Sequence, residues 1–162
     1  MIEVHKHLFV GTQQDYEDNQ HRLTEWTVIH ACKEPYHRQA LGYSGRAASK
    51  DHPEYLIARR GNRLILNLVD ANDPAYISDE IMDTAVACIQ ESLNHNQSVL
   101  VHCNLGQSRS PSIAMLYLGT HTEVLPRSSF DLAVEAFRKK YPPFAPAGGV
   151  FEFLRNRWTK WA

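Results

Sequence analysis

The 162-residue chain is long enough for one domain with a single core, because two cores of half this size would each be marginal. Its hydrophobic residues (43%) and charged residues (22%) are ordinary for a globular protein, and a net charge of -1 excludes a global attraction to nucleic acid or to an anionic membrane. Apolar runs fall far short of the roughly 20 residues that span a bilayer, and the polar N-terminal residues lack a secretory signal. We therefore expect a cytoplasmic protein with no membrane partner.

Cysteine and histidine indicate neither a disulfide framework nor a metal centre. The three cysteines, Cys32, Cys88 and Cys103, cannot all pair within one chain, and a reducing compartment keeps thiols free. No Cys or His cluster has the spacing of a zinc site. We therefore expect no metal and no cofactor, and we interpret Cys32 and Cys88 as structural residues.

Four short apolar runs predict β-strands, over residues 7–10, 26–31, 63–69 and 98–102. Between the second and third runs, residues 33–62 have weak periodicity. This segment carries six Lys or Arg residues against three Asp or Glu residues, so it is predicted as a long basic insertion or loop. Such a segment is either a solvated surface or a loop that faces the substrate.

Helices are predicted after the third and fourth strands. Ser78 can cap a helix that ends near residue 93 and carries its apolar residues on one stripe. Three further helices are predicted over residues 110–121, 129–141 and 149–158. The strand, helix, strand unit implies parallel strands joined by a right-handed crossover, with the ligand site at the carboxyl ends of the strands. We therefore expect one α/β domain over residues 1–162 with a mostly parallel central sheet.

The segment that begins at Val99 reads VLVHCNLGQSRSPS and carries the clearest chemical signal. A tight loop between a strand and a helix N-terminus directs backbone N–H groups inward and forms a site for a phosphate dianion. The same donors favour a thiolate at Cys103, and Gly106 supplies a permissive backbone. Arg109 can clamp two phosphate oxygens with its planar guanidinium. The loop therefore predicts a phosphate site with a cysteine nucleophile.

The run His102-Cys103-x5-Arg109-Ser110 resembles the HCx5R(S/T) signature of the protein tyrosine phosphatase superfamily, and the chain resembles its compact dual-specificity branch. The resemblance implies a single three-layer α/β/α domain and metal-independent hydrolysis, with Cys103 as the nucleophile that forms a phosphocysteine. Arg109 would bind the phosphate, Ser110 would help the thiolate to leave, and His102 would brace the loop. The residues that would surround the phosphate are Asn104, Leu105, Gly106, Gln107, Ser108 and Arg109.

The same family uses an aspartic acid upstream of the cysteine, on a loop after a strand, to protonate the leaving oxygen and then to activate water. Residues 67–74, which read NLVDANDP, occupy that place. Asp73 is the first choice, because Ala71-Asn72-Asp73 is similar to the dual-specificity pattern. Asp70 is the alternative acid, and its structural interpretation is a loop cap.

The leading functional hypothesis is hydrolysis of phosphotyrosine in a phosphorylated protein or peptide, with phosphoserine and phosphothreonine as further targets. The uncharged side chains of the loop argue against a polyphosphorylated lipid headgroup, which would favour lysines there. RNA 5′ ends, nucleotides or another non-protein phosphate are the alternative, because the basic segment 33–62 could recognise them. A non-catalytic phosphate-binding module is a third hypothesis, and the presence of Cys103, Arg109 and an acid argues against it.

Overall fold

One mixed β-sheet forms the centre of the computed structural model, which describes residues 1–161. Its strands are β1 (Ile2–His5), β2 (Leu8–Gly11), β3 (Thr27–His30), β4 (Ile57–Arg60), β5 (Arg63–Leu66) and β6 (Val99–His102). Their order is β1-β2-β6-β3-β5-β4, with the four inner strands parallel and both edge strands antiparallel to their neighbours. The prediction of a mostly parallel sheet is confirmed.

Helices cover both faces of this sheet. They are α1 (Gln13–Asn19), α2 (Arg38–Leu41), α3 (Asp79–Asn94), α4 (Arg109–His121), α5 (Phe130–Lys140) and α6 (Gly148–Thr159). Helix α1, the helical turn Lys33–His37 and α2 lie on one face, and α3 to α6 lie on the other, so the predicted three-layer arrangement is confirmed. Within residues 1–161, no helix is long and apolar enough to cross a membrane.

Helices α3 to α6 begin and end within one residue of the predicted bounds, and side-chain caps define the start of α3 and of α5. The Ser78 hydroxyl accepts a hydrogen bond from the Ile81 N–H at 3.2 Å, and the Ser129 hydroxyl caps α5 in the same way. The apolar stripe of α3 is buried. These caps satisfy N–H groups that a helix N-terminus otherwise leaves free.

Four elements, β1, α1, α2 and β4, were not predicted from the sequence. Helix α1 has the sequence QQDYEDN and buries only Tyr16, so it lacks an apolar stripe. A reciprocal pair of hydrogen bonds between Thr12 and Asp15, at 2.9 and 3.0 Å, holds its first turn. Strands β1 and β4 lie at the sheet edges and are only partly buried, which weakens their apolar pattern. Segment 33–62 is therefore more regular than expected, since it contains both α2 and β4.

The sheet register places three strand ends side by side at the site. Gly11 pairs with His102 across β2 and β6, and His30 pairs with His102 across β3 and β6. Strand β6 is buried along its whole length, and α3 forms the crossover that brings it between β2 and β3. The residue that follows β6 therefore emerges at the centre of the carboxyl edge, which is where a parallel sheet offers a ligand site.

Candidate active site

The loop of residues 103–108 joins β6 to α4 and turns tightly against the end of β2. Gly106 has a φ of +69°, in the left-handed region that favours glycine. A Cβ atom at this position would lie 2.9 Å from the Gly11 carbonyl oxygen, too close for an ordinary contact. A larger residue at position 106 would therefore be strained in its backbone and crowded by the neighbouring strand.

The carbonyl groups of this loop point outward to donors from distant parts of the chain. Three of these contacts are Gln13 N–H to Asn104 O at 3.1 Å, the Tyr141 hydroxyl to Gly106 O at 2.6 Å, and Ala145 N–H to Gln107 O at 2.8 Å. The donors come from α1 and from the connection between α5 and α6, which brace the loop from two sides. Sequence reasoning missed all three donors.

The amide groups of the same loop face the opposite way. Across residues 1–161, the N–H groups of residues 104–108 have no protein acceptor. Because the carbonyls turn outward, these amides converge between Cys103 and the N-terminus of α4, where the helix dipole adds a partial positive charge. An arrangement of this kind can bind a tetrahedral anion through backbone donors.

The Cys103 side chain lies at the bottom of this site and is 2% exposed. Its Sγ atom is 3.2 Å from the Ser110 hydroxyl oxygen, which also lies 3.3 Å from the Gly11 carbonyl oxygen. The hydroxyl proton of Ser110 can therefore turn toward the sulfur or toward the Gly11 carbonyl. A hydroxyl at this distance can stabilise negative charge on the sulfur atom.

Arg109 is held rigidly, with one group left free to bind a ligand. One terminal nitrogen donates to the Leu68 carbonyl oxygen at 3.0 Å, and the other donates to the Asn104 side-chain oxygen at 2.7 Å. Its Nε atom is buried and has no hydrogen-bond partner within residues 1–161. A buried unpaired guanidinium donor is costly, so a phosphate oxygen at this position would satisfy it.

The two upstream carboxylates have different surroundings. Asp70 accepts a hydrogen bond from the Ser108 hydroxyl at 2.6 Å, so its side chain contacts the loop. Asp73 is exposed and caps a short turn by accepting from the Ala75 N–H at 2.9 Å. The Ser108 hydroxyl also accepts from the Ala147 N–H at 2.9 Å, which ties Asp70 and the loop to the start of α6.

The basic segment 33–62 divides between the two edges of the sheet. Lys33 lies at the carboxyl edge, where its backbone N–H donates to the Leu68 carbonyl oxygen. Its side-chain ammonium group donates to the Arg46 carbonyl oxygen. Arg59 and Arg60 lie at the amino edge, since Arg60 pairs with the first residue of β5. Lys33 therefore lies at the same edge of the sheet as the loop, and Arg59 and Arg60 lie at the opposite edge.

Cys32 and Cys88 are thiols that lie outside the loop. Burial raises the pKa of the Cys32 thiol to about 12, although the charge of Arg109 opposes this shift. Burial also raises the pKa of Cys88. Both side chains are therefore protonated thiols at neutral pH, as expected for structural residues.

A loop of inward amides that holds an anion against a buried thiol, with an arginine on the next helical turn, defines the class of cysteine-dependent phosphatases. The family model described as dual specificity phosphatase, catalytic domain, matches residues 43–146. The chain belongs to this family and is a cysteine-dependent dual-specificity phosphatase. A search of curated protein sequences gave no match.

Solved structures show the same fold. Human DUSP28 is 18% identical, with a TM-score of 0.65 over 99% of this chain and 96% of that chain. The human tyrosine phosphatase-like serine/threonine/tyrosine-interacting protein is 17% identical, with a TM-score of 0.63 over 98% and 95%. A mouse putative dual specificity phosphatase complexed with zinc tungstate is 19% identical, with a TM-score of 0.63 over 98% and 86%. At these identities the similarity concerns the fold.

Proposed function

We propose that the protein hydrolyses phosphate monoesters on protein tyrosine side chains, with phosphoserine and phosphothreonine as further substrates, through a phosphocysteine intermediate. The observation that carries this proposal is that, within residues 1–161, the amides of one loop lack a protein acceptor, the loop begins at the buried Cys103, and it ends at an Arg109 whose Nε is unpaired. Packing alone has no need for this combination, because unpaired buried donors destabilise a fold.

In the first step the Cys103 thiolate attacks phosphorus, and the S–P bond forms as the bond to the leaving oxygen breaks. The loop amides and Arg109 hold the three other phosphate oxygens and stabilise the charge that develops on them. An aspartic acid donates its proton to the leaving oxygen. The product alcohol or phenol departs and leaves a phosphocysteine.

In the second step water attacks phosphorus, and the S–P bond breaks. The same carboxylate, now ionised, accepts a proton from that water. Ser110, 3.2 Å from the sulfur, donates a hydrogen bond to the departing thiolate. Inorganic phosphate then leaves, and the enzyme returns to its starting state.

One of two carboxylates supplies the proton. The family resemblance selects Asp73, whereas the hydrogen bond between the Ser108 hydroxyl and Asp70 favours Asp70 because it holds that carboxylate against the loop. The residue that acts as the acid should, when changed to Asn, slow phenyl phosphate by about 10²–10⁴-fold and para-nitrophenyl phosphate much less. The reason is that only a poor leaving group requires protonation. Turnover of both esters by Asp70→Asn and Asp73→Asn is the measurement.

Each of these two variants is the matched control for the other, because both remove one exposed carboxylate from the same loop. A leaving-group-dependent loss in Asp73→Asn alone would assign the acid to Asp73. Equal losses on both esters in both variants would contradict a carboxyl proton donor at this loop.

The loop side chains support a substrate with a single phosphate. Asn104, Leu105, Gln107 and Ser108 are uncharged, so binding falls to backbone amides and Arg109. The mouse relative was solved with zinc tungstate, and tungstate is a tetrahedral oxyanion like phosphate. Both points are consistent with a monophosphate ester held in the loop.

The substrate proposal predicts efficient turnover of a phosphotyrosine peptide, measured without metal as phosphate release. Parallel reactions contain phosphothreonine peptides, 5′-triphosphorylated RNA and nucleotides at equal concentration. A preference for RNA or nucleotides would contradict the protein substrate and would assign Lys33 and Arg46 to recognition of the additional phosphates. Lys33→Met and Arg46→Met, with Arg59→Met at the opposite edge as the control, would then measure that contribution.

A further inference from the structure

A buried chain of hydrogen bonds runs across the sheet to the loop. Arg63 Nε donates to His30 Nε2 at 2.8 Å, and His30 Nδ1 lies 2.6 Å from His102 Nε2. His102 Nδ1 lies 3.2 Å from the Cys103 carbonyl oxygen. Since β5, β3 and β6 are neighbours in the sheet, each link joins adjacent strands or adjacent residues. These hydrogen bonds therefore connect Arg63, the first residue of β5, to the carbonyl group of Cys103.

The hydrogen bonds of this chain have one direction. A guanidinium can only donate, so His30 Nε2 accepts and the ring proton of His30 lies on Nδ1. That proton is donated to His102 Nε2, which leaves the His102 proton on Nδ1, directed at the Cys103 carbonyl. Burial lowers the pKa of His30 to about 2 and that of His102 to about 4, so both rings are neutral at physiological pH.

Two tyrosines hold the histidine rings in place. Tyr16 of α1 stacks on His102 with ring centroids 5.1 Å apart, and Tyr36 stacks on His30 at 4.1 Å. Both histidines are fully buried. Because stacked, buried rings have little freedom to rotate, a change of tautomer is the remaining way to reverse the direction of these hydrogen bonds.

We infer that Arg63 and His30 are positioning residues for Cys103, because they keep the His102 proton on Nδ1 and so hold the Cys103 carbonyl away from the phosphate site. This inference rests on the proposed role of Cys103. A carbonyl that turned inward would bring a partial negative charge next to the thiolate and the phosphate. The hydrogen bond to this carbonyl also polarises the following peptide, which strengthens the Asn104 N–H as a donor.

Removal of Arg63 would allow the hydrogen bonds between His30, His102 and Cys103 to reverse their direction. His30 could then carry its proton on Nε2, and its Nδ1 could accept a hydrogen bond from Nε2 of His102. In that arrangement His102 carries its proton on Nε2, and the Cys103 carbonyl loses its donor. Arg63 would thus act on the nucleophile through two rings without touching the substrate.

The test compares Arg63→Met with the wild type in three measurements that need an intact fold. We expect kcat for a phosphotyrosine peptide to fall by about tenfold with little change in KM, because the loop amides bind and stabilise charge less well. The pH midpoint of Cys103 alkylation by iodoacetamide, followed by mass spectrometry, should rise by about 0.5–1 unit. ¹⁵N NMR of the His102 ring should show an Nε2–H population that the wild type lacks.

Two matched variants separate the hydrogen bond from the charge. Arg63→Lys keeps a donor and should stay close to the wild type in all three measurements. Arg59→Met removes the same charge from the neighbouring strand, where Arg59 pairs with Leu64, and should change none of them.

A wild-type spectrum with the His102 proton on Nε2 would overturn the inference without any variant. An unchanged kcat and alkylation midpoint in a folded Arg63→Met protein would also overturn it. An inactive wild-type protein would contradict the proposed function instead, because the tautomer and the alkylation midpoint are measured without substrate.

Discussion

Cys103→Ser should lower the turnover of phosphate monoesters by at least about 10⁴-fold while phosphate binding persists. A serine hydroxyl is a far weaker nucleophile than a thiolate, and no phosphocysteine can form. Binding persists because the loop amides and Arg109 are unchanged and the substitution exchanges one buried atom. Turnover of a phosphotyrosine peptide and protection against thermal unfolding by inorganic phosphate are the two measurements.

Cys88→Ser is the matched control, since it makes the same atomic change on the partly buried face of α3, away from the loop. This control should keep wild-type turnover. Activity of Cys103→Ser within about tenfold of the wild type would contradict covalent catalysis by Cys103. Loss of phosphate protection together with turnover would show that the substitution disrupts the loop itself.

Arg109→Lys should lower kcat/KM by about 10³-fold, the second-largest expected effect, because one ammonium cannot replace the guanidinium fork. Arg109 contacts Leu68 and Asn104 with its two terminal nitrogens and still presents Nε to a ligand. A lysine would lose either the bracing contacts or the phosphate contact. We also expect weaker competitive inhibition by inorganic phosphate, measured in the same assay.

Arg127→Lys provides a matched control at the other end of α4. Arg127 donates to the Gly119 and Thr120 carbonyl oxygens, so its substitution also removes a double contact to the backbone. This variant should lose some thermal stability and keep its kcat/KM. Comparable losses of activity in the two variants would indicate a general weakening of the fold in place of a specific effect at the phosphate site.

The chemistry of the loop could be predicted from the sequence because its main determinants are contiguous. Residues 99–112 contain the buried strand, the cysteine, the glycine with positive φ and the arginine in a single run. Strand burial, turn geometry and helix capping are set by neighbours in the chain, and a local pattern reports them. The same reasoning located α3 to α6, and the side-chain caps of α3 and α5 are local contacts.

The contacts that complete the site depend on residues far apart in sequence. The donors that turn the loop carbonyls outward come from Gln13, Tyr141 and Ala145. Such contacts form only after the strands adopt their register and α1 and α6 pack on opposite faces. Nothing in the local sequence of these three residues distinguishes them from ordinary surface or turn residues.

The amino-acid sequence by itself determined the class of chemistry, since the proposed nucleophile, the arginine proposed to bind phosphate and the loop backbone lie within one short segment. Tertiary structure alone decided which carboxylate contacts the loop, which cations lie at the carboxyl edge and that Arg63 reaches His102 through His30. The physical reason is that hydrogen bonds across a sheet follow strand order and register. Both are set by packing of the whole chain and leave no periodic signal along it.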